Sequence, residues 1–253
     1  FVTLDSILHD PSIISILESK KVVKILDFGC GTGGELFGFL HALENHVESN
    51  LSIKIIGIDG NHNSLRLLEN IINCYNSRER NKVEFVVAPC FIESESDLST
   101  ISNIIGTDFD FIITSKAIGE FENKKRIEDN GYEFFAKIFA PLLCKTGIMT
   151  IIDVTTKNEQ NGLFLPQIMN IGVNTFISNS KGLFRSVAPC SGQTLLGPCK
   201  HSCFYKKDVY ISHSAKVKDH SKFAMRLITR NELNLDTTYV REVFNNSECK
   251  LYK

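Results

Sequence analysis

ILDFGCGTGG, at residues 25–34 of this 253-residue chain, is the stretch that decides the fold. Its first four residues are the end of a nearly continuous apolar run, Val22–Phe28, and such a run is typical of a strand buried on both faces. Gly29, Gly31 and Gly33 follow at alternate positions, so the backbone can turn sharply and approach a ligand without a Cβ clash. The helix predicted next would present free N–H groups at its first turn.

Strand-like and helix-like segments alternate on both sides of this turn. Strands are predicted at 22–28, 53–58, 83–87, 109–114 and 148–154, and helices at about 33–46, 63–75, 98–105, 132–143 and 163–177. This order predicts an α/β, Rossmann-like fold with a mostly parallel sheet and helices on both faces. No window approaches the roughly 18 uninterrupted apolar residues of a membrane span, and no membrane partner is expected.

Composition divides the chain into three parts. Residues 1–20 are expected to end an N-terminal helical segment, and residues 21–179 to form the α/β domain. From residue 180 to 221 the chain is rich in Gly, Ser, Pro, Cys, Lys and His, and it lacks periodicity. Residues 180–253 are therefore predicted to be an irregular, cysteine-rich module, with late strands at 223–229 and 249–252 that return to the sheet.

Two carboxylates accompany the glycine turn. Asp27 precedes the first glycine by two residues, which makes the pattern D-x-G-x-G-x-G, and dinucleotide-binding enzymes usually lack that acid. Asp59 ends the second predicted strand, where a carboxylate can accept hydrogen bonds from ribose hydroxyls.

Together these residues resemble the cofactor site of class I S-adenosylmethionine-dependent methyltransferases. The resemblance implies that the glycine loop cradles the methionine moiety, that the second acid holds the ribose, and that the loop after the third strand lies near the adenine. The residues that it assigns to S-adenosylmethionine are Asp27, Gly29, Gly31, Gly33, Asp59 and Ala88.

The sequence predicts no catalytic residue. Residues 114–121, after the fourth strand, read TSKAIGEF and lack the Asn-Pro-Pro-Tyr loop of amino-directed nucleic-acid methyltransferases. A cysteine nucleophile would be expected near the fourth strand, whereas Pro89 and Cys90 follow the third. Glu120 is interpreted as a capping or surface residue. Because a cofactor loop is present without a catalytic loop, binding is favoured over catalysis.

Positive charge is concentrated late in the chain. The net charge is −1, yet residues 199–230 contain eight Lys or Arg residues and only two acidic ones. Such a patch is typical of contact with a polyanion, and a solvated lysine-rich loop is the alternative.

Cysteines cluster in the same region. Cys190, Cys199 and Cys203 lie close together, and Cys249 follows near the end. The spacing is not that of paired zinc knuckles, and it is compatible with a [4Fe–4S] cluster or with structural zinc. The other four cysteines are solitary, and each is expected to be a buried small apolar residue.

The late region also resembles a narrower family, the methyltransferase-like protein seventeen family of the mitochondrial small ribosomal subunit, which has bacterial relatives. The matching features are Ala-Pro-Cys at 188–190, Cys199, Cys-Phe at 203–204, Lys-Phe at 222–223 with Arg230, Cys249, and Ile-Gly-Glu-Phe at 118–121. Ser191 and Gly192 depart from the family's Pro-His, and Lys200 departs from its proline.

This resemblance implies a component or assembly factor of the small ribosomal subunit in the mitochondrial matrix. Its partners would be ribosomal RNA and ribosomal proteins, with no DNA. The four late cysteines would hold a [4Fe–4S] cluster, with zinc the less favoured metal, and the residues facing phosphates would be Lys206, Lys207, Lys216 and Lys218. The alternatives are an active ribosomal RNA methyltransferase and a small-molecule methyltransferase with a structural zinc module. Because the chain begins with Phe1, we expect a fragment or a processed product, and its first residues do not indicate a compartment.

Overall fold

Strands and helices alternate along the chain in the computed structural model, which describes residues 5, 7–158, 160–188, 193–194, 197–198, 205–213 and 215–233. The strands are β1 (Val23–Phe28), β2 (Ser52–Asp59), β3 (Lys82–Pro89), β4 (Phe109–Ser115), β5 (Leu143–Val154), β6 (Phe184–Ala188), β7 (Gln193–Thr194), β8 (Gly197–Pro198), β9 (Tyr205–His213) and β10 (Lys216–Arg230). The helices are α1 (Pro11–Glu18), α2 (Gly34–His46), α3 (His62–Arg78), α4 (Glu95–Ile104), α5 (Ala117–Lys124), α6 (Gly131–Phe139) and α7 (Leu165–Asn179). Within the described ranges, no helix is both long enough and apolar enough to cross a lipid bilayer.

One sheet organises these elements, in the order β3-β2-β1-β4-β5-β10-β6. The first five strands are parallel, and β10 is antiparallel to both β5 and β6. The strand order reverses between β1 and β4, and the carboxyl ends of strands at such a switch point form the usual ligand crevice of an open α/β sheet. The predicted Rossmann-like fold with a mostly parallel sheet is confirmed.

Two apolar layers cover the faces of the sheet. On one face, α2 packs its buried Phe39 ring against Phe111 of β4, with the centroids 4.6 Å apart. On the other face, the ring centroid of Phe28 in β1 lies 5.1 Å from that of Phe135 and 5.3 Å from that of Phe139, both in α6. Since β1 is buried on both faces, its sequence is mostly apolar rather than alternating, with Lys24 and Asp27 as its charged residues.

The structure differs from the predicted segments at several places. Helix α5 was not predicted, and the helix expected at 132–143 ends at Phe139, from which a short 3₁₀ turn leads into a longer β5. Strands β6 and β9 lie in the stretch from 180 to 221, which the sequence predicts to be irregular. These strands have little periodicity of their own, and their pairing with β10 stabilises them instead.

Strands β9 and β10 form a ribbon that extends beyond the sheet. Strand β10 pairs with β5 only from Phe223 to Thr229, and the pairing stops at Val154, where β5 ends. The preceding residues of β10 pair with β9 alone, from Lys216 to Lys222. We call residues 205–213 and 216–222 the β9–β10 ribbon. It projects from the same edge of the sheet as the carboxyl ends of the parallel strands.

The cysteines fall into two groups. The prediction of a buried residue is confirmed for Cys30 and is wrong for Cys74, which is exposed on α3, while Cys90 and Cys144 are half-buried. The four late cysteines (Cys190, Cys199, Cys203 and Cys249) and the strand predicted at 249–252 lie outside the described residues. The metal module therefore stays a prediction.

Candidate functional site

The glycine turn after β1 requires glycine for reasons of backbone shape and of space. Gly29, Gly31 and Gly33 have φ angles of +70°, +50° and +82°, a region that residues with a Cβ rarely adopt. A Cβ on Gly29 would collide with Ala117, and one on Gly33 would lie 2.5 Å from Leu68 Cδ1. The turn is thus a close-fitting cradle at the carboxyl end of β1.

Asp59 fastens this turn to the end of β2. Its Oδ2 accepts a hydrogen bond of 2.8 Å from the Gly31 N–H, and its Oδ1 accepts one of 2.8 Å from the Asn61 N–H. The Gly29 N–H also donates to the Ile58 carbonyl at 2.8 Å. The structure therefore brings the predicted glycines and the second predicted acid into direct contact.

A cavity of about 630 Å³ opens above these residues. It is lined by four turns that follow β1, β2, β3 and β4, and its lining includes Gly29, Gly31, Asp59, Cys90 and Lys116. Three residues of the predicted cofactor site lie beside this lining rather than in it: Asp27, Gly33 and Ala88. Ala88 packs half-buried within β3, and the cavity wall continues instead from Cys90 to Ile92.

Asp27 is a buried carboxyl group beneath the glycine turn. It is fully buried, and among the described residues neither of its carboxylate oxygens has a hydrogen-bond partner. Burial raises the pKa of Asp27 well above its ordinary value, and the nearby charges of Glu35 and Asp59 raise it further. Burial also raises the pKa of Glu35. A buried carboxyl of this kind favours a ligand that brings hydrogen-bond donors or positive charge.

The turn after β4 forms the opposite wall of the cavity. Lys116 has a left-handed backbone with φ of +65°, which is uncommon for a residue with a side chain and is frequent at functional sites. Its N–H donates to the Ile152 carbonyl at 2.9 Å, and its Nζ lies 5.1 Å from the centre of the Phe223 ring at the base of the ribbon. Sequence reasoning missed Lys116, because an isolated lysine carries no signal of its backbone angle.

A buried hydrogen-bond network holds this turn in place. Asp153, at the end of β5, accepts hydrogen bonds from the Gly119 N–H at 2.8 Å and the Tyr132 hydroxyl at 2.9 Å through its Oδ2. Its Oδ1 accepts from the Val154 N–H at 2.8 Å. Burial raises the pKa of Asp153 to about 6, and the hydrogen bonds oppose that rise. Helix α5 is thereby fixed to β5, and the Lys116 turn is fixed with it.

This carboxyl predicts a pH dependence of stability. Its folded pKa of about 6 lies above the ordinary 3.8, so its contribution to stability is complete below pH about 4 and is lost as the pH rises through 6. We expect the free energy of unfolding of the wild type to fall by about 2 kcal/mol more than that of Asp153→Asn between pH 4 and pH 7. Urea titrations at several pH values measure this difference. Parallel pH profiles for the two proteins would contradict the assignment.

An aromatic ring and a guanidinium close the mouth of the cavity. The Phe91 side chain is exposed, and it lies over Gly60, where an added Cβ would meet the ring at 2.5 Å. The Arg126 guanidinium lies 4.9 Å from the centre of that ring, and its Nη1 donates to the Ile92 carbonyl at 2.8 Å. Glu120 also lines the cavity but pairs with Lys124 at 2.8 Å.

The predicted phosphate-contacting lysines are distributed along the β9–β10 ribbon. Lys216 and Lys218 are exposed on β10, and Lys216 forms an ion pair with Asp219. Lys206 and Lys207 are residues of β9, paired in register with β10. Beside them, the rings of Tyr210 and His220 stack with their centroids 4.5 Å apart.

Two arginines of the basic window do not belong to this surface. Arg226 is fully buried in β10, and Arg230 donates to the Leu143 and Pro141 carbonyls at 2.9 and 2.8 Å. The charge count along the sequence therefore overstates the positive charge that a polyanion can reach. A count of charged residues cannot show this, because it carries no information on which side chains of β10 are buried.

Comparison with known families gives one match along the chain. The model of a family described as a methyltransferase domain matches residues 19–184, which is about two thirds of the chain. These residues include the whole cavity and the five parallel strands. No curated protein matches.

Solved structures are also similar to this chain, at low sequence identity. A S-adenosylmethionine-dependent methyltransferase from Methanosarcina mazei is 14% identical, with 85% of this chain and 96% of that one covered and a TM-score of 0.44. A TehB-like methyltransferase from Corynebacterium glutamicum is 15% identical, with coverages of 87% and 86% and a TM-score of 0.38. PKMT2 from Rickettsia typhi, solved in complex with AdoHcy, is 20% identical, with coverages of 69% and 29% and a TM-score of 0.36.

Proposed function

The chain belongs to the methyltransferase-domain family, and from that premise we propose that its cavity binds S-adenosylmethionine for methyl transfer. One observation carries the proposal. The fully buried Asp27 carboxyl, which has no described partner, lies beneath a turn whose three glycines all have positive φ angles. The three carboxyl groups around this turn suit a ligand with an ammonium group and ribose hydroxyls.

The residues present fit the parts of that cofactor. Each Asp59 oxygen already accepts one backbone N–H and retains a second lone pair, with which it can accept from a ribose hydroxyl. Asp27 and Glu35 would balance the charge of the methionine ammonium group. The wall from Cys90 to Ile92, with Phe91 at the mouth, offers apolar surface to the adenine.

Catalysis by this chain would consist mainly of positioning. The bound cofactor supplies an electrophilic methyl group on a sulfonium. The chain must hold an acceptor in line with that methyl group and exclude water from it. The Lys116 turn, held by Asp153 and Tyr132, forms the wall on which an acceptor would rest. Its fixed left-handed backbone would define the entry path.

Calorimetric titration with S-adenosylhomocysteine tests the cofactor proposal. The wild-type chain should bind one equivalent, because in the described part of the chain the glycine turn and the Asp59 carboxylate line the same cavity. Absence of binding to the folded protein would overturn the proposal. Transfer of a labelled methyl group to small-subunit ribosomal RNA then separates an active enzyme from a protein that binds the cofactor without turnover. The non-catalytic role has one supporting observation, which is that Glu120 pairs with Lys124 instead of facing an acceptor unpaired.

We further propose that RNA, and specifically small-subunit ribosomal RNA, is the partner held at the β9–β10 ribbon. The exposed Lys216 and Lys218 can contact phosphates, and the exposed Tyr210 ring with His220 offers a surface on which a base can stack. The ribbon projects at the edge of the sheet where the cavity opens, so RNA held there would pass near the Lys116 turn.

Substitution of the two exposed ribbon lysines predicts a weaker salt dependence of RNA binding. For single-stranded RNA, loss of two phosphate contacts lowers the slope of log affinity against log salt by about 1.4. We therefore expect the double variant Lys216→Ala/Lys218→Ala to show this change in filter-binding assays at several salt concentrations. The matched control is Lys137→Ala/Lys145→Ala, two exposed lysines of α6 and β5 that lie outside the ribbon. Equal slopes for the two double variants would contradict the proposal.

We propose a mitochondrial small-ribosomal-subunit component or assembly factor with a [4Fe–4S] cluster, supported by the sequence resemblance at Cys190, Cys199, Cys203 and Cys249. Iron and sulfide analysis of anaerobically purified protein tests the cluster. Zinc without iron would favour a structural zinc module instead.

A further inference from the structure

Three potential metal ligands converge far from the cavity, where the N-terminal segment meets the end of α2. They are Asp5, His9 and His46, and one ligand atom of each lies within 4.8 Å of the other two. His46 Nε2 and Asp5 Oδ1 are 2.8 Å apart, and the rings of His9 and His46 have centroids 4.2 Å apart. Asp5 and His46 are half-buried, and His9 is exposed. Neither methyl transfer nor RNA contact requires this cluster.

One hydrogen bond prepares His9 for metal coordination. Its Nδ1 lies 2.9 Å from the Asp5 backbone carbonyl, which can only accept, so Nδ1 carries the proton in that contact. Nε2 of a neutral His9 ring is then the nitrogen with the lone pair. Metal-ligating histidines commonly donate their second ring nitrogen to a carbonyl or carboxylate in this way.

The spacing of the ligand atoms suits a small tetrahedral ion. With bonds of about 2.0–2.1 Å, neighbouring ligands of tetrahedral zinc lie about 3.3 Å apart. An ion would therefore need the 2.8 Å contact between Asp5 and His46 to open by about 0.5 Å, while the other pairs of ligand atoms lie within 4.8 Å. Two imidazoles and one carboxylate suit Zn²⁺ among the common biological cations, because Ca²⁺ and Mg²⁺ prefer oxygen ligands.

The surrounding structure also favours positive charge here. His46 is the last residue of α2, and the carboxyl end of a helix carries a partial negative charge that attracts cations. The opposite end of the same helix begins at the glycine turn. From the converging ligands, the His9 hydrogen bond and the helix end, we propose that Asp5, His9 and His46 form a zinc site that joins the N-terminal segment to α2.

Zinc titration of the chelator-treated full chain tests the site. Zinc binds at this site only if Asp5 and His46 are both present, so Asp5→Asn and His46→Ala should each lose one equivalent of zinc relative to the wild type. His41→Ala is the matched control, because His41 is an exposed histidine on the same helix, outside the cluster. It should keep the wild-type stoichiometry. Any zinc held by cysteines is common to all four proteins and cancels in the difference.

Circular dichroism and thermal melting separate loss of zinc from loss of folding. Asp5→Asn retains an oxygen that can accept from His46, so its circular dichroism spectrum should match that of the wild type and loss of zinc cannot be attributed to unfolding. Zinc should also raise the melting temperature of the wild type by more than that of Asp5→Asn. Equal stoichiometry in the wild type and Asp5→Asn, or an equal loss in His41→Ala, would overturn the proposal.

Discussion

Asp59→Ala is expected to weaken the binding of S-adenosylhomocysteine about 100-fold. The substitution removes the carboxylate that would hold the ribose, and it also frees the Gly31 and Asn61 N–H groups that this carboxylate fixes at 2.8 Å. A hydrogen bond to a charged group contributes about 1.5–3 kcal/mol, and each 1.4 kcal/mol is a factor of ten in affinity. Isothermal titration calorimetry measures the loss directly.

Asn63→Ala is a suitable control for this experiment. Asn63 also lines the cavity, but it is exposed in the first turn of α3, and its backbone N–H rather than its side chain makes the described hydrogen bond. Its substitution should change the affinity by less than threefold. If Asp59→Ala bound as tightly as the control, the ribose would lie elsewhere and the orientation of the cofactor in the cavity would be wrong.

Arg226→Ala is expected to lower the free energy of unfolding by about 4 kcal/mol. The side chain is fully buried in β10, and it donates to Asn170 Oδ1 at 2.5 Å and to Asn174 Oδ1 at 2.7 Å, both buried on α7. Truncation removes two charge-assisted hydrogen bonds, leaves a cavity, and deprives both amide oxygens of these donors. This loss is a large fraction of the 5–15 kcal/mol that stabilises a typical domain.

Urea denaturation of Arg226→Ala beside Arg66→Ala measures this effect. Arg66 is exposed on α3, so its truncation should change stability by no more than about 0.5 kcal/mol. A loss below about 1 kcal/mol for Arg226→Ala would show that the arginine–asparagine contacts do not hold α7 against the sheet. The result also bears on the cavity. Helix α7 follows β5, and the second-to-last residue of β5 is Asp153, which holds the Lys116 turn.

The glycine turn could be predicted because its signals are local in the chain. Glycines at alternate positions after a nearly continuous apolar run allow the left-handed backbone that this sharp turn uses. Asp59 could be predicted for a similar reason, because adjacent parallel strands place their carboxyl ends at one edge of the sheet. The structure brings these residues together at the cavity, although Ala88 lies beside the lining.

The opposite wall of the cavity could not be predicted, because it depends on contacts between residues distant in sequence. Lys116 adopts its left-handed backbone where Gly119 and Tyr132 donate to Asp153, and these partners lie up to 34 positions apart. Helix α5 has only eight residues, which is too short for a helix that is stable by itself, and it forms where that network holds its first turn. Pairing with β10 similarly converts residues 184–188, predicted to be irregular, into a strand.

The sequence by itself determined the α/β fold, the glycine turn and the acids around it, because these follow from local backbone preference and from the period of apolar residues. Only the tertiary structure decided which charged side chains a ligand can reach and which are buried. It buries Arg226 against two asparagines, leaves Lys216 and Lys218 exposed on a ribbon, and leaves Asp27 buried without a described partner. The physical reason is that the energy of a charge depends on its distance from water and from other charges, and folding alone sets those distances.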